Sequence, residues 1–121
     1  MSTPSRYAQN GARRRQIVAR HRARVRAGEP CAICGRPIDL SVPYPQPWSF
    51  VVDEIVPVAH GGSPLLWSNT EPAHRWCNGI KSTRSLQWAR EEVARQLAGI
   101  SRVPDEAKAK PSKAPFTRLD I

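Results

Sequence analysis

Residues 48–62 read WSFVVDEIVPVAHGG. Aromatic and β-branched side chains fill positions 48–56, and that composition predicts the best strand in the chain. Pro57 and the Gly61-Gly62 pair close the strand in a turn or loop. Asp53 and Glu54 stand as an acidic pair between Val51-Val52 and Ile55-Val56. Carboxylates kept inside an apolar strand point to a functional site, with a solvated pair at a strand end as the plainer alternative.

On either side of this strand lie two short motifs with the same spacing. Cys31-Ala32-Ile33-Cys34-Gly35 offers two thiols to one metal, with Gly35 allowing the tight turn behind them. His74-Arg75-Trp76-Cys77 repeats the two-residue gap with an imidazole in the first place. Cys31, Cys34, His74 and Cys77 thus supply three sulfurs and a nitrogen, a tetrahedral set for structural Zn²⁺ that uses every cysteine in the chain. A redox CxxC would leave His74 and Cys77 without a role.

Working outward, RPIDLSVPYPQP (36–47) carries four prolines and is expected to be an extended loop. A short second strand is expected around Leu65–Ser68. Pro72 suits the first turn of a helix over Ala73 to about Asn78, weakened at Gly79. Leu86, Ala89, Val93, Leu97 and Ile100 recur at three- and four-residue intervals, which predicts an amphipathic helix over 85–98, capped by Ser85 and stopped by Gly99. Residues 1–11 are expected to be disordered, and 12–28 to form a basic helical arm with Ile17, His21 and Val25 as a thin apolar stripe. A zinc-stapled domain should occupy 29–100. Residues 101–121, with three prolines and KAKPSK, should be a disordered basic tail. About 70 to 85 ordered residues make a thin core, for which a metal staple is a physically sensible remedy.

The 121 residues carry 19 Lys plus Arg against 10 Asp plus Glu, a formal charge of +9. The surplus is unevenly placed. Residues 1–28 hold eight arginines and no acid, while 29–80 hold two basic and five acidic residues. Two basic arms around a slightly acidic centre suit a polyanion, nucleic acid above all. The anionic-membrane alternative is weaker: no segment approaches the ~20 apolar residues of a spanning helix, and the N-terminus lacks a secretory h-region. The expectation is a protein that stays in the cytoplasm where it is made.

Taken together, CAICG, VVDEIVPVAHGG and SNTEPAHRWCNGIKS resemble the HNH endonuclease family over roughly residues 31–82. The resemblance implies a small α+β fold: a ββα-metal (His-Me finger) core with a structural zinc site, flanked here by the basic helix and the C-terminal amphipathic helix. It assigns Asp53 and Asn78 to a catalytic divalent ion such as Mg²⁺ or Mn²⁺. Asn69 becomes a loop brace, Gly61 and Gly62 the loop glycines, and Lys81 a basic residue near the helix end that could meet a phosphate. Cys31, Cys34, His74 and Cys77 match the zinc set, with His74 in place of the commoner cysteine. DNA would be the partner, gripped by Arg13, Arg14, Arg15, Arg20, Arg22, Lys81 and Arg84. Small proteins similar to this one are frequent in bacteriophages, which brings a packaging terminase into view as a further partner.

One position departs from the family pattern. Where members carry the general-base His, this chain has Glu54, weaker by about two units on reference pKa values but still able to accept a proton. Glu54 could be the base. Alternatively it joins Asp53 at the metal while His60 takes the proton, or the site is weakened and the protein only binds DNA. The expected chemistry is metal-assisted phosphodiester hydrolysis.

Overall fold

Alanine and arginine are both good helix formers, and the N-terminal run makes one long helix, α1 (Arg6–Arg26). The computed structural model describes residues 6–101, with side chains for 10–99. Disorder was expected as far as residue 11, but the helix begins at Arg6. Gly11 costs about 1 kcal/mol in a helix interior, and the strong helix formers on both sides absorb it. Residues 1–5 and 102–121, including nearly all of the expected tail, lie outside the described residues. No described helix is long and apolar enough to cross a membrane.

The stripe on α1 behaves as its period demands: Ile17, His21 and Val25 are all buried while the arginines between them face outward. After α1 the chain turns into the first knuckle. Gly35 there adopts φ 76° and its N–H closes onto the carbonyl of Cys31 at 2.9 Å. The proline-rich segment that follows forms neither helix nor strand.

Strand β1 (Phe50–Glu54) lies within the expected segment. Its partner does not. β2 spans Thr70–His74, and Leu65–Ser68 instead leads into the 3-10 turn Trp67–Asn69. Pro72 is therefore a strand residue rather than the start of a helix. Its missing N–H is tolerated because a two-stranded sheet is all edge. The strands run antiparallel and pair Phe50 with His74, Val52 with Pro72 and Asp53 with Glu71.

Helix α2 (Arg75–Lys81) follows directly, with Gly79 inside it. Two of its otherwise orphaned N–H groups, those of Arg75 and Trp76, donate to the carbonyls of Ser49 and Pro47 at 2.8 and 2.7 Å. Helix α3 (Leu86–Ser101) runs past Gly99. Ser85 caps it as expected, its hydroxyl accepting from Trp88 N–H at 3.1 Å. The core gathers Val25, Ile33, Ile38, Trp48, Ala73, Ala89 and Val93 around Cys31 and Cys77. Apolar packing and the cysteine cluster are thus one unit.

Candidate functional site

Four ligand atoms meet where the first knuckle faces the junction of β2 and α2. The sulfurs of Cys31, Cys34 and Cys77 and a ring nitrogen of His74 all lie within 4.8 Å of one another. Cys34 Sγ is 3.3 Å and Cys77 Sγ 3.9 Å from His74 Nδ1. Bond lengths near 2.3 Å to sulfur and 2.0 Å to nitrogen put tetrahedral zinc ligands ~3.5–3.8 Å apart, so the set closes on Zn²⁺ with small adjustments.

The surroundings also suit the ion. His74 Nε2 lies 3.1 Å from the carbonyl of Pro37, an acceptor only, so Nε2 must carry the proton and Nδ1 keeps its lone pair for the metal. Backbone N–H groups of Ile33, Cys34 and His74 point at Cys31 Sγ, and that of Arg36 at Cys34 Sγ. Crowded thiols cannot all ionise unaided. Hydrogen bonds from Cys34 and Cys77 hold Cys31 far below the usual thiol range, whereas Cys31 and Cys34 push Cys77 far above it. Burial would lower His74, but hydrogen bonds and charge from Cys31 and Cys34 lift it to about 9. A zinc ion would replace the shared protons and bind all three sulfurs as thiolates. Trp48 meets His74 edge-on at 4.8 Å and lies 5.2 Å from Trp76, so two of the four tryptophans shield the cluster. Trp88 packs against the same core and lies under Arg84, whereas Trp67 stacks on His21 and lies under Arg20.

The second site is built at the end of β1. Asp53 is 4 % exposed. Its carboxylate lies 3.3 Å from Lys81 Nζ, which also donates to the carbonyl of Glu54 at 2.8 Å. Lys81 is wholly buried, so the sequence-based assignment to DNA phosphate is wrong: the ammonium faces inward because Asp53 and the carbonyl are its partners. Across the sheet Glu71 lies against Asp53. Burial, then the Asp53 neighbour, raises the Glu71 carboxyl to about 8. Asp53 Oδ2 and Glu71 Oε2 are buried without a hydrogen-bond partner. Sequence reasoning missed Glu71 because β2 was placed too early, and only the strand register reveals it.

Glu54 points to the other side, toward α1. Arg14 Nη1 is 3.7 Å from its carboxylate and Arg14 Nη2 donates to the carbonyl of Val52 at 3.3 Å. Arg14 thus meets the strand end as well as solvent, its side chain 36 % exposed. Arg13, Arg15, Arg20, Arg22 and Arg84 remain exposed, with Arg20 lying over Trp67 and Arg22 over Phe50. His21 is a core residue, stacked on Trp67 at 4.1 Å with Nε2 2.8 Å from Thr70 Oγ1.

Asn69 ties the loop between the strands. Its amide nitrogen donates to the carbonyls of Val56 and Ser63, at 3.0 and 3.1 Å, and its oxygen accepts from Val56 N–H at 2.8 Å. Gly62 packs so closely under this brace that a Cβ there would stand 1.7 Å from the Val56 carbonyl oxygen. His60 is exposed on the 3-10 turn Val58–His60 and makes no side-chain hydrogen bond among the described residues. Asn78 is half-buried on α2, where it lines a pocket with Tyr44, Val51 and Arg75. Lys81, one turn further along α2, is the helix side chain that meets Asp53.

An acid at the strand end, a braced glycine loop and a Cys₃His cluster therefore occur in one small unit. The model of the HNH endonuclease family matches residues 31–84. This segment is an HNH endonuclease domain. No curated protein and no solved structure matches the chain. Within the HNH domain both knuckles, both strands and α2 are included, while α1 and α3 lie outside the matched segment and pack onto it.

Proposed function

We propose that the protein is a metal-dependent DNA endonuclease that nicks or cleaves phosphodiester bonds. The observation that carries this reading is the match of residues 31–84 to the HNH endonuclease family with Asp53 at the expected strand position. The donor chemistry fits a hard divalent ion such as Mg²⁺ or Mn²⁺: the carboxylate of Asp53, which a bound ion would share with the Lys81 ammonium 3.3 Å from Oδ2, and the amide of Asn78. Such an ion, when bound, supplies positive charge at the scissile phosphate and the leaving oxygen. Asp53 and Asn78 hold it. Glu54, oriented by Arg14, takes the proton of the attacking water, with exposed His60 as the alternative acceptor. Asn69 keeps the loop rigid. Arg13, Arg15, Arg20, Arg22 and Arg84 hold DNA phosphates, giving affinity without sequence reading. The resemblance to small phage-borne proteins leads us to favour a terminase-based packaging machine as the biological partner.

A specific observation favours a second reading, a DNA-binding module with little or no cleavage. Both acids are already engaged, Asp53 by Lys81 and Glu54 by Arg14. Supercoiled plasmid separates the two. The nuclease reading expects nicked or linear product with Mg²⁺, Mn²⁺ or Zn²⁺, and retarded but intact plasmid with every metal would support the binding module.

A further inference from the structure

The pocket that contains Asn78 combines an aromatic ring, apolar walls and a cation. It encloses about 470 Å³ between the proline-rich loop, β1 and α2, and is lined by Tyr44, Val51, Arg75, Trp76, Asn78 and Ile80. Tyr44 is 71 % exposed, the most exposed of the large hydrophobic side chains among the described residues. Its position is built, not loose: Pro43 and Pro45 flank it, and Gln46 N–H closes a turn onto the Pro43 carbonyl at 3.0 Å. The Arg75 guanidinium lies 5.6 Å from the Tyr44 ring. Gly79 adds no side chain to the floor, where a Cβ would meet nothing within 4 Å.

A bare aromatic face, apolar walls and one guanidinium are what an unstacked nucleobase and its phosphate require. Bases inside a duplex show only their edges, so the face of Tyr44 could be used only by an unpaired nucleotide. Val51 and Asp53 are two residues apart on one strand, roughly 7 Å, so an occupant would sit beside the proposed reaction centre. We propose that this pocket binds one unpaired DNA nucleotide, its base stacked on Tyr44 and its phosphate held by Arg75. The substrate would then be DNA with a single-stranded or distorted stretch next to the cleaved bond. The placement beside the cut rests on the nuclease reading; the base-binding pocket itself does not.

The test is fluorescence-anisotropy titration of zinc-loaded protein, without added Mg²⁺ or Mn²⁺, against a single-stranded oligonucleotide, its duplex, and an all-abasic strand of equal length. Stacking contributes ~1–3 kcal/mol per base, so Tyr44→Ala should weaken single-strand binding by about 5- to 150-fold. Tyr44→Phe should bind like the wild type, and Tyr44→Ala should leave duplex and abasic binding within about twofold. Arg75→Gln should weaken the single-stranded and abasic ligands alike. Unchanged single-strand binding by Tyr44→Ala, or an equal loss on the abasic strand, would overturn the proposal. If the wild type cuts plasmid while Tyr44→Ala shows no stacking loss, the pocket is wrong and the nuclease reading stands. A stacking loss in a protein that cuts nothing would leave the pocket standing without the nuclease.

Discussion

Lys81 and Asp53 form a buried ion pair, Nζ to Oδ2 at 3.3 Å, with side chains 0 % and 5 % exposed. The last cation of α2 is thus locked to the acid at the end of β1, and through the Glu54 carbonyl to the backbone that presents Glu54. Removing one member of a buried pair leaves the other charge uncompensated, which typically costs ~3–5 kcal/mol. Lys81→Met should therefore lower unfolding free energy in urea by about that amount. Restoring neutrality with Asp53→Asn in the same chain should recover a measurable part of it. Additive losses in the double variant would show that the two side chains do not interact.

The Cys₃His cluster sits within the apolar core, so zinc bound there would couple metal to folding. Stripping zinc with a strong chelator, or replacing Cys77 by Ser, should abolish the cooperative thermal transition. Metal content by mass spectrometry should fall from one zinc per chain to none. A sharp transition in zinc-free protein would show that the core stands without its staple.

His21 carries a pH dependence of definite sign. Burial first, then Arg24 and Arg20, lowers it to about 4 from an ordinary 6.5. Between those values the unfolded chain binds a proton that the folded one refuses, so stability present at pH 7 is lost as pH falls through the window. His21→Phe keeps a ring against Trp67 but cannot titrate. Between pH 7 and pH 5 the wild type should lose roughly 1–2 kcal/mol more than this variant, a comparison that cancels any acid loss of zinc common to both. Equal losses would place the titration elsewhere.

Gly62 and Asn69 make the loop a rigid piece. Gly62→Ala would drive a methyl into the Val56 carbonyl and toward the Asn69 amide, so it should destabilise by ~2–4 kcal/mol or displace the loop. Asn69→Ala removes the three part-buried hydrogen bonds that tie Val56 and Ser63 together, a loss of ~1–3 kcal/mol. Chemical denaturation of both variants, with heteronuclear NMR shifts confined to residues 55–69, would confirm the brace. Wild-type stability in either would refute it.

Much of the site could be read before any coordinates. Two equal gaps between hard-to-replace ligands define the metal cluster, because Cys31, Cys34, His74 and Cys77 need only be brought together once, and the strand composition at 50–54 is unambiguous. The errors came from single residues whose local preference was overruled. Pro72 favours a helix start, yet the pairing of Val52 with it and the place of His74 in the Cys₃His cluster hold it in β2. Gly11 and Gly99 look like helix ends, but a long helix tolerates one poor residue. Lys81 reads as a phosphate contact from the family resemblance and Arg14 from the charge of its arm, and neither signal gives direction; the packing of α2 and α1 on β1 pairs them with Asp53 and Glu54. Glu71 stayed hidden for the same reason, since its partner Asp53 lies across a register that sequence does not encode.

The central claim, that Asp53 serves metal-dependent strand cleavage, has a direct test. Wild type and Asp53→Ala, matched for zinc content and for plasmid retardation on a gel, are incubated with supercoiled plasmid and Mn²⁺ or Mg²⁺. Conversion to nicked or linear DNA should be seen with the wild type and fall at least 100-fold with Asp53→Ala, equivalent to about 2.7 kcal/mol of lost transition-state stabilisation. Equal cleavage by both proteins, or none by the wild type with any divalent ion, would contradict the account.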